Sequence, residues 1–169
     1  MNPKPSSMQA IIGRKEEQII LNQLLESKRP EFLAVYGRRR VGKTFLIRQA
    51  YASRIVFQMT GIARANTSQQ LTNFFSALRN MNKNTDQDTL PKNWFEAFEM
   101  LKSCFGKSSE PKKVIFFDEM PWIDTPRSNF LSALEHFWNS WASDRPDIIL
   151  VVCGSAASWC TDPLNGWTN

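Results

Sequence analysis

The chain has 169 residues, 42% apolar and 22% charged, with a formal net charge of +5. This is ordinary globular usage, and a domain of this length buries roughly 70% of its unfolded surface, so it needs no covalent staples. The three cysteines, Cys104, Cys153 and Cys160, form no C-x-x-C pair, which argues against a disulfide frame or a zinc site.

Residues 1–10 are polar, carry two prolines and are expected to be disordered, with no signal-peptide stretch. Residues 14–27 set Ile20, Leu21, Leu24 and Leu25 at helical spacing, and Arg29-Pro30 ends that helix. Residues 32–36 form a short apolar run that reads as a buried strand. Residues 37–42 read as a loop and residues 43–52 as a helix. Residues 55–60 are a second strand. Thr67-Ser68 is read as the cap of a helix over 67–80, with Leu71, Phe74, Phe75 and Leu78 on one face. Residues 81–92 are polar and read as a surface loop. Residues 94–105 place Phe95, Phe98 and Leu101 in helical register, and residues 114–117 are a third strand. Residues 129–142 carry a wide apolar face of Phe130, Leu131, Leu134, Phe137, Trp138 and Trp141. Residues 148–153 are a fourth strand. Strands that alternate with helices and are continuously apolar predict a parallel α/β sheet covered on both faces. These apolar runs are too short to span a bilayer, so a soluble, cytoplasmic protein with no membrane contact is expected.

Gly37-Arg38-Arg39-Arg40-Val41-Gly42-Lys43-Thr44 matches G-x-x-x-x-G-K-[ST] in full, between a predicted strand and a predicted helix. Glycines in this pattern let backbone N–H groups turn toward phosphate oxygens, and the helix N-terminus adds partial positive charge there. Lys43 is placed to reach the β- and γ-phosphates, and Thr44 to offer its hydroxyl to Mg²⁺. Phe45 completes the nucleotide-contacting stretch 37–45. Arg38, Arg39 and Arg40 either raise the local potential for a polyphosphate or point into solvent or pair with carboxylates elsewhere, the latter reading favoured for at least two of them. Val114-Ile115-Phe116-Phe117-Asp118-Glu119 is a Walker B pattern: a buried strand delivers acids at its C-terminal end. Asp118 is assigned to Mg²⁺ and Glu119 to the attacking water. Ser155, after the fourth strand, is either a contact to the γ-phosphate or catalytic water or an ordinary turn serine. His136, the single histidine, reads as structural.

Together these segments resemble a family. Ile11-Ile12-Gly13-Arg14-Lys15-Glu16-Glu17 is similar to the GRxxE box of AAA+ and STAND-type ATPases. The octet with Tyr36 before it, Phe116 to Pro126, Phe130 to Asn139 and Gly154 to Trp159 resemble the archaeal-type ATPases over residues 11–159. The resemblance implies Ile12 and Gly13 near the adenine, Ser155 in the sensor 1 role, ATP and Mg²⁺ as ligands, and a three-layer P-loop NTPase sheet in the order 5-1-4-3-2. Residues 160–169 depart from the family as a polar tail. One truncated domain over residues 1–169 is therefore expected, with the fifth strand, the lid and the sensor 2 arginine missing.

The leading reading is an ATPase core that binds Mg·ATP and can hydrolyse it, with Lys43, Glu119 and Ser155 as the catalytic set. Its alternatives are a nucleotide-binding switch without turnover and a DNA-associated factor. The latter is suggested by the +5 charge and by the nuclease-like region of family members, though no basic-aromatic recognition motif accompanies it. Without its fifth strand, the strand over 32–36 would be a bare edge open to self-association.

Overall fold

The computed structural model describes residues 14–38, 40–81 and 89–155. Ile12, Gly13, Arg39, the two termini and most of the loop expected over 81–92 lie outside the described residues.

The elements follow in the order α1 (Lys15–Glu26), β1 (Glu31–Gly37), α2 (Lys43–Ala50), β2 (Ile55–Thr60), α3 (Thr67–Met81), α4 (Trp94–Ser103), β3 (Lys113–Asp118), α5 (Met120–Ile123), α6 (Phe130–Ser140), a 3₁₀ turn (Ala142–Asp144) and β4 (Ile148–Ser155). Four parallel strands form one sheet in the order β1-β4-β3-β2. The last strand in sequence thus sits between the first and third. Every residue of β4 is buried, as expected for a central parallel strand covered on both faces.

Alternate residues of β3 and β4 feed two separate cores, because successive side chains of a strand point to opposite faces. Val114, Phe116, Ile149 and Val151 pack with Leu21, Leu46, Ile47 and Tyr51 under α1 and α2. Ile115, Phe117, Leu150 and Val152 pack with Phe74, Leu78, Trp94, Phe98 and Phe137 under α3, α4 and α6. The second core is aromatic. Phe98 stacks on Phe137 at 4.9 Å and meets Phe117 edge-on at 5.8 Å. The result is the three-layer α/β arrangement.

Local details depart from the sequence expectations in several places. The cap of α3 is Asn66, not Thr67-Ser68. Asn66 Oδ1 accepts from the Gln69 amide and Gln69 Oε1 accepts from the Asn66 amide, both at 2.9 Å. That reciprocal capping box leaves the Thr67 hydroxyl for Thr125, 2.6 Å away. The helix over 94–105 stops at Ser103, and its start is capped by Asn93, whose Oδ1 accepts from the Glu96 amide at 2.9 Å. The short helix α5 had no periodic signal, because four residues are too few to display one.

At the N-terminal ends of the strands, Asp147 is buried with Arg145, Lys113 and Ser108 around it. Burial pushes its carboxyl up, but hydrogen bonds from Arg145, Lys113 and Ser108 outweigh this and hold it well below the usual carboxylate range. This ionised cluster ties the base of the sheet together, at the end opposite the glycine-rich loop.

Candidate functional site

The four strands deliver their C-terminal ends to one side of the sheet. Gly37 of β1 lies beside Ser155 of β4 in register, and Thr60 of β2 lies beside Asp118 of β3. This is where open α/β sheets bind ligands.

The loop from β1 to α2 uses left-handed backbone at Arg40 (φ 62°) and at Gly42 (φ 79°). Alternation of that kind gathers main-chain N–H groups into an anion-binding concavity. A Cβ on Gly42 would meet nothing within 4 Å, so glycine is needed there for its conformation and not for space. The first helical hydrogen bond of α2 runs from the Leu46 amide to the Gly42 carbonyl at 2.9 Å. The amides of Lys43, Thr44 and Phe45 therefore have no acceptor within the helix, and the helix start carries partial positive charge.

Lys43 folds back across this loop. Its Nζ donates to the Gly37 carbonyl at 3.1 Å and to the Arg38 carbonyl at 2.7 Å. The Thr44 hydroxyl donates to Asp118 Oδ1 at 3.0 Å across 74 positions of sequence. Asp118 Oδ1 also accepts from the Glu119 amide at 3.0 Å. Asp118 is buried and Glu119 half-buried. A cavity of about 370 Å³ is lined by the loop from Arg40 to Phe45, by Arg48 and by Glu119. One carboxylate thus faces a set of cations. A hydroxyl and a carboxylate oxygen in hydrogen-bond contact are hard donors of the kind a Mg²⁺ ion carrying phosphate and water uses, so the residues present fit Mg·ATP.

Several neighbours surround these groups. The Arg14 guanidinium donates to the Val41 carbonyl, tying the residue before α1 to the loop. With the Gln58 side-chain amide on β2 turned so that its oxygen faces Arg48, Arg48 Nε donates to that oxygen at 2.9 Å. Cys153 is buried beside Asp118. Burial first, and the Asp118 charge second, push its thiol up to about 12, which keeps it neutral. Phe45 and Val41 are exposed at the cavity. Arg38 and Arg40 are exposed too.

Among the sequence candidates, Gly37, Arg38, Arg40, Val41, Gly42, Lys43, Thr44, Phe45, Asp118, Glu119 and Ser155 converge on this side of the sheet. Ser155 is buried. Ile12, Gly13 and Arg39 lie outside the described residues. His136 sits on the exposed side of α6, its ring 6.0 Å from that of Phe95. Sequence reasoning missed Arg48, Gly61 and Gln70. A Cβ on Gly61 would lie 2.6 Å from the Glu119 carbonyl oxygen, a close approach that only glycine permits. A lone glycine just after a predicted strand was the one available signal.

The model of an ATPase domain family predominantly from Archaea matches residues 12–166. An uncharacterized protein of Methanocaldococcus jannaschii is 27% identical over 124 residues, covering 73% of this chain and 25% of that protein. The Walker-type ATPase of Pyrococcus abyssi superposes with a TM-score of 0.54 at 20% identity, over 85% of this chain and 45% of that one. The chain thus spans about a quarter of the curated relative and under half of the solved structure. No described helix is long and apolar enough to cross a membrane.

Proposed function

The chain belongs to the ATPase domain family found predominantly in Archaea, and on that footing we propose that it binds Mg·ATP at the 37–45 loop and hydrolyses it. The observation that carries this reading is the contact between Thr44 and Asp118, which joins the two motifs at one point. Bound Mg²⁺ would neutralise charge on the β- and γ-phosphates. The main-chain amides at the start of α2 bind the phosphate oxygens. Lys43 exchanges its loop carbonyls for the β- and γ-phosphates. Thr44 and Asp118 would hold the metal, and Glu119 would orient and polarise the attacking water. Ser155, next to Gly37 in register, reports the γ-phosphate. By the family resemblance Ile12 and Gly13 would contact the adenine, and Phe45, at the end of the 37–45 stretch, would line the nucleotide site.

Asp118→Ala is expected to weaken Mg-dependent ATP binding about tenfold or more, the scale of losing one charge-assisted contact, with a smaller effect on binding without Mg²⁺. Calorimetric titration with and without Mg²⁺ measures both. An equal loss in the two conditions would remove Asp118 from the metal role. A switch that holds nucleotide without turnover would bind as well and release no phosphate, so phosphate-release kinetics separate it from the enzyme.

One observation favours an anionic macromolecular partner as a second reading. No Asp or Glu stands between Phe32 and Thr85, a stretch that carries nine of the 21 Lys and Arg residues. Arg38, Arg40, Arg48, Arg64 and Arg79 of that stretch are exposed. If these arginines bind DNA, affinity for a labelled duplex falls steeply between about 50 and 200 mM salt. Fluorescence anisotropy reads this directly, and no binding at the lower salt removes the DNA reading. Self-association through the free edge of β1 is a separate proposal, resting on the pairing of β1 with β4 alone among the described strands.

A further inference from the structure

The register of β2 with β3 ends at Thr60 and Asp118, and the last main-chain bond between the two segments runs from the Gly61 amide to the Asp118 carbonyl at 2.9 Å. Beyond it, Glu119 takes a left-handed conformation, φ 51° and ψ 42°. A residue with a Cβ holds that conformation only where its surroundings impose it. The sheet ladder has ended by this point, so something else must impose it.

The surroundings are supplied by α3. Gln70 is fully buried, which is unusual for a glutamine. Its Nε2 donates to the Ile62 carbonyl at 2.7 Å and to the Trp122 carbonyl at 2.8 Å, and its Oε1 accepts from the Ile62 amide at 3.2 Å. All three partners are main-chain groups. The side-chain amide thus continues, with its own atoms, the pairing that β2 and β3 have stopped making. The Trp122 amide in turn donates to the Glu119 carbonyl at 2.9 Å. On the other side, Gly61 packs so closely against the Glu119 carbonyl that it has no room for a Cβ. Two more α3 side chains flank the clip. Asn73 Nδ2 donates to the Thr60 carbonyl at 2.8 Å, and the Thr67 hydroxyl meets that of Thr125 at 2.6 Å. Residues 67, 70 and 73 stand three apart, along one face of the helix.

We propose that Gln70 is a positioning residue for Glu119. It fixes, through Trp122 and Ile62, the left-handed turn from which the Glu119 carboxylate reaches the cavity beside Lys43 and Thr44. The proposal rests on the ATPase reading for its effect on rate, and on geometry alone for its effect on the turn. The bland alternative is a buried glutamine that only satisfies nearby main-chain groups. The two differ in what is lost when it is removed. Misplacing a reacting group by about 1 Å can cost ~10²-fold in rate, whereas a packing role costs stability without touching the chemical step.

The test compares Gln70→Leu and the milder Gln70→Asn with Leu78→Ala, which empties a buried position about two turns further along the same helix. In the full chain, Gln70→Leu is expected to lower kcat about tenfold to a hundredfold while the Kd for Mg·ATP stays within about twofold, and Gln70→Asn falls between it and wild type. Leu78→Ala loses melting temperature and keeps kcat. In a Glu119→Gln background, Gln70→Leu adds no further loss. A second arm needs no turnover: amide hydrogen exchange in the nucleotide-free chain, where Gln70→Leu and Gln70→Asn accelerate exchange at Trp122 and Gly61 beyond the change in Leu78→Ala. A wild-type chain without turnover ends the ATPase reading and leaves the exchange arm to decide the positioning. Unchanged exchange at Trp122, or a kcat that falls no further than in Leu78→Ala, overturns the proposal. Gln70→Asn supplies the same readings where Gln70→Leu fails to fold.

Discussion

Glu119→Gln leaves Mg·ATP affinity within about twofold of wild type and lowers turnover by about 10²- to 10⁴-fold, the contribution of a well-placed general base. The substitution keeps the shape and removes the charge. Binding survives because the main-chain contacts of residue 119 remain: its amide still reaches Asp118 Oδ1, and its carbonyl still accepts from Trp122. Glu119 is half-buried and lines the cavity together with Lys43 and Thr44, so its charge matters there more than in open water. Phosphate-release kinetics under single-turnover conditions, beside calorimetric titration, separate the two effects. A variant that binds ATP much more weakly, or one that turns over at the wild-type rate, would move the water-activating role away from Glu119.

Lys43→Ala is the second large effect. A charge-assisted hydrogen bond contributes about 1.5–3 kcal/mol, so losing the one ammonium of the loop is expected to weaken Mg·ATP binding by about tenfold to over a hundredfold. The fold itself should change little. Lys43 is only half-buried, and the carbonyls of Gly37 and Arg38 that it caps lie where water can replace it. Calorimetric titration measures the affinity, and circular dichroism with thermal melting checks that the loss is local. Equal affinity in wild type and variant would overturn the assignment of the loop as the phosphate site. Arginine is not expected to rescue, because its planar fork does not reproduce the compact point charge of an ammonium.

Both results depend on residues from separate strands meeting, and here sequence and structure contributed unequally. The glycine-rich octet was legible because each of its residue types answers a local demand. Gly42 has to adopt a positive φ, and Thr44 and Phe45 have to open a helix. The strands were legible because a strand buried on both faces needs an unbroken apolar run, as residues 148–153 provide. Even Asp118 and Glu119 were legible as acids at the end of such a run. The aromatic face of α6 was visible in its spacing, although its last turn became a 3₁₀ turn at Ala142–Asp144.

What the sequence by itself determined is therefore local: which segments are strands or helices, where glycines let the chain turn, and which residues are candidates for phosphate and metal chemistry. Only the tertiary structure decided that Thr44 touches Asp118, that Gly61 presses on Glu119, and that Gln70 spans Ile62 and Trp122. The capping of α3 by Asn66 instead of Thr67 was decided the same way, since Thr67 is drawn to Thr125. The physical reason is common to all of these. Periodicity and turn chemistry report the few residues on either side of a position, whereas these contacts join residues brought together by the order of strands in the sheet. A buried glutamine shows this most plainly. In the sequence Gln70 is one polar residue on an amphipathic helix, and only the end of the β2–β3 ladder beside it supplies the three main-chain groups that draw it into the core.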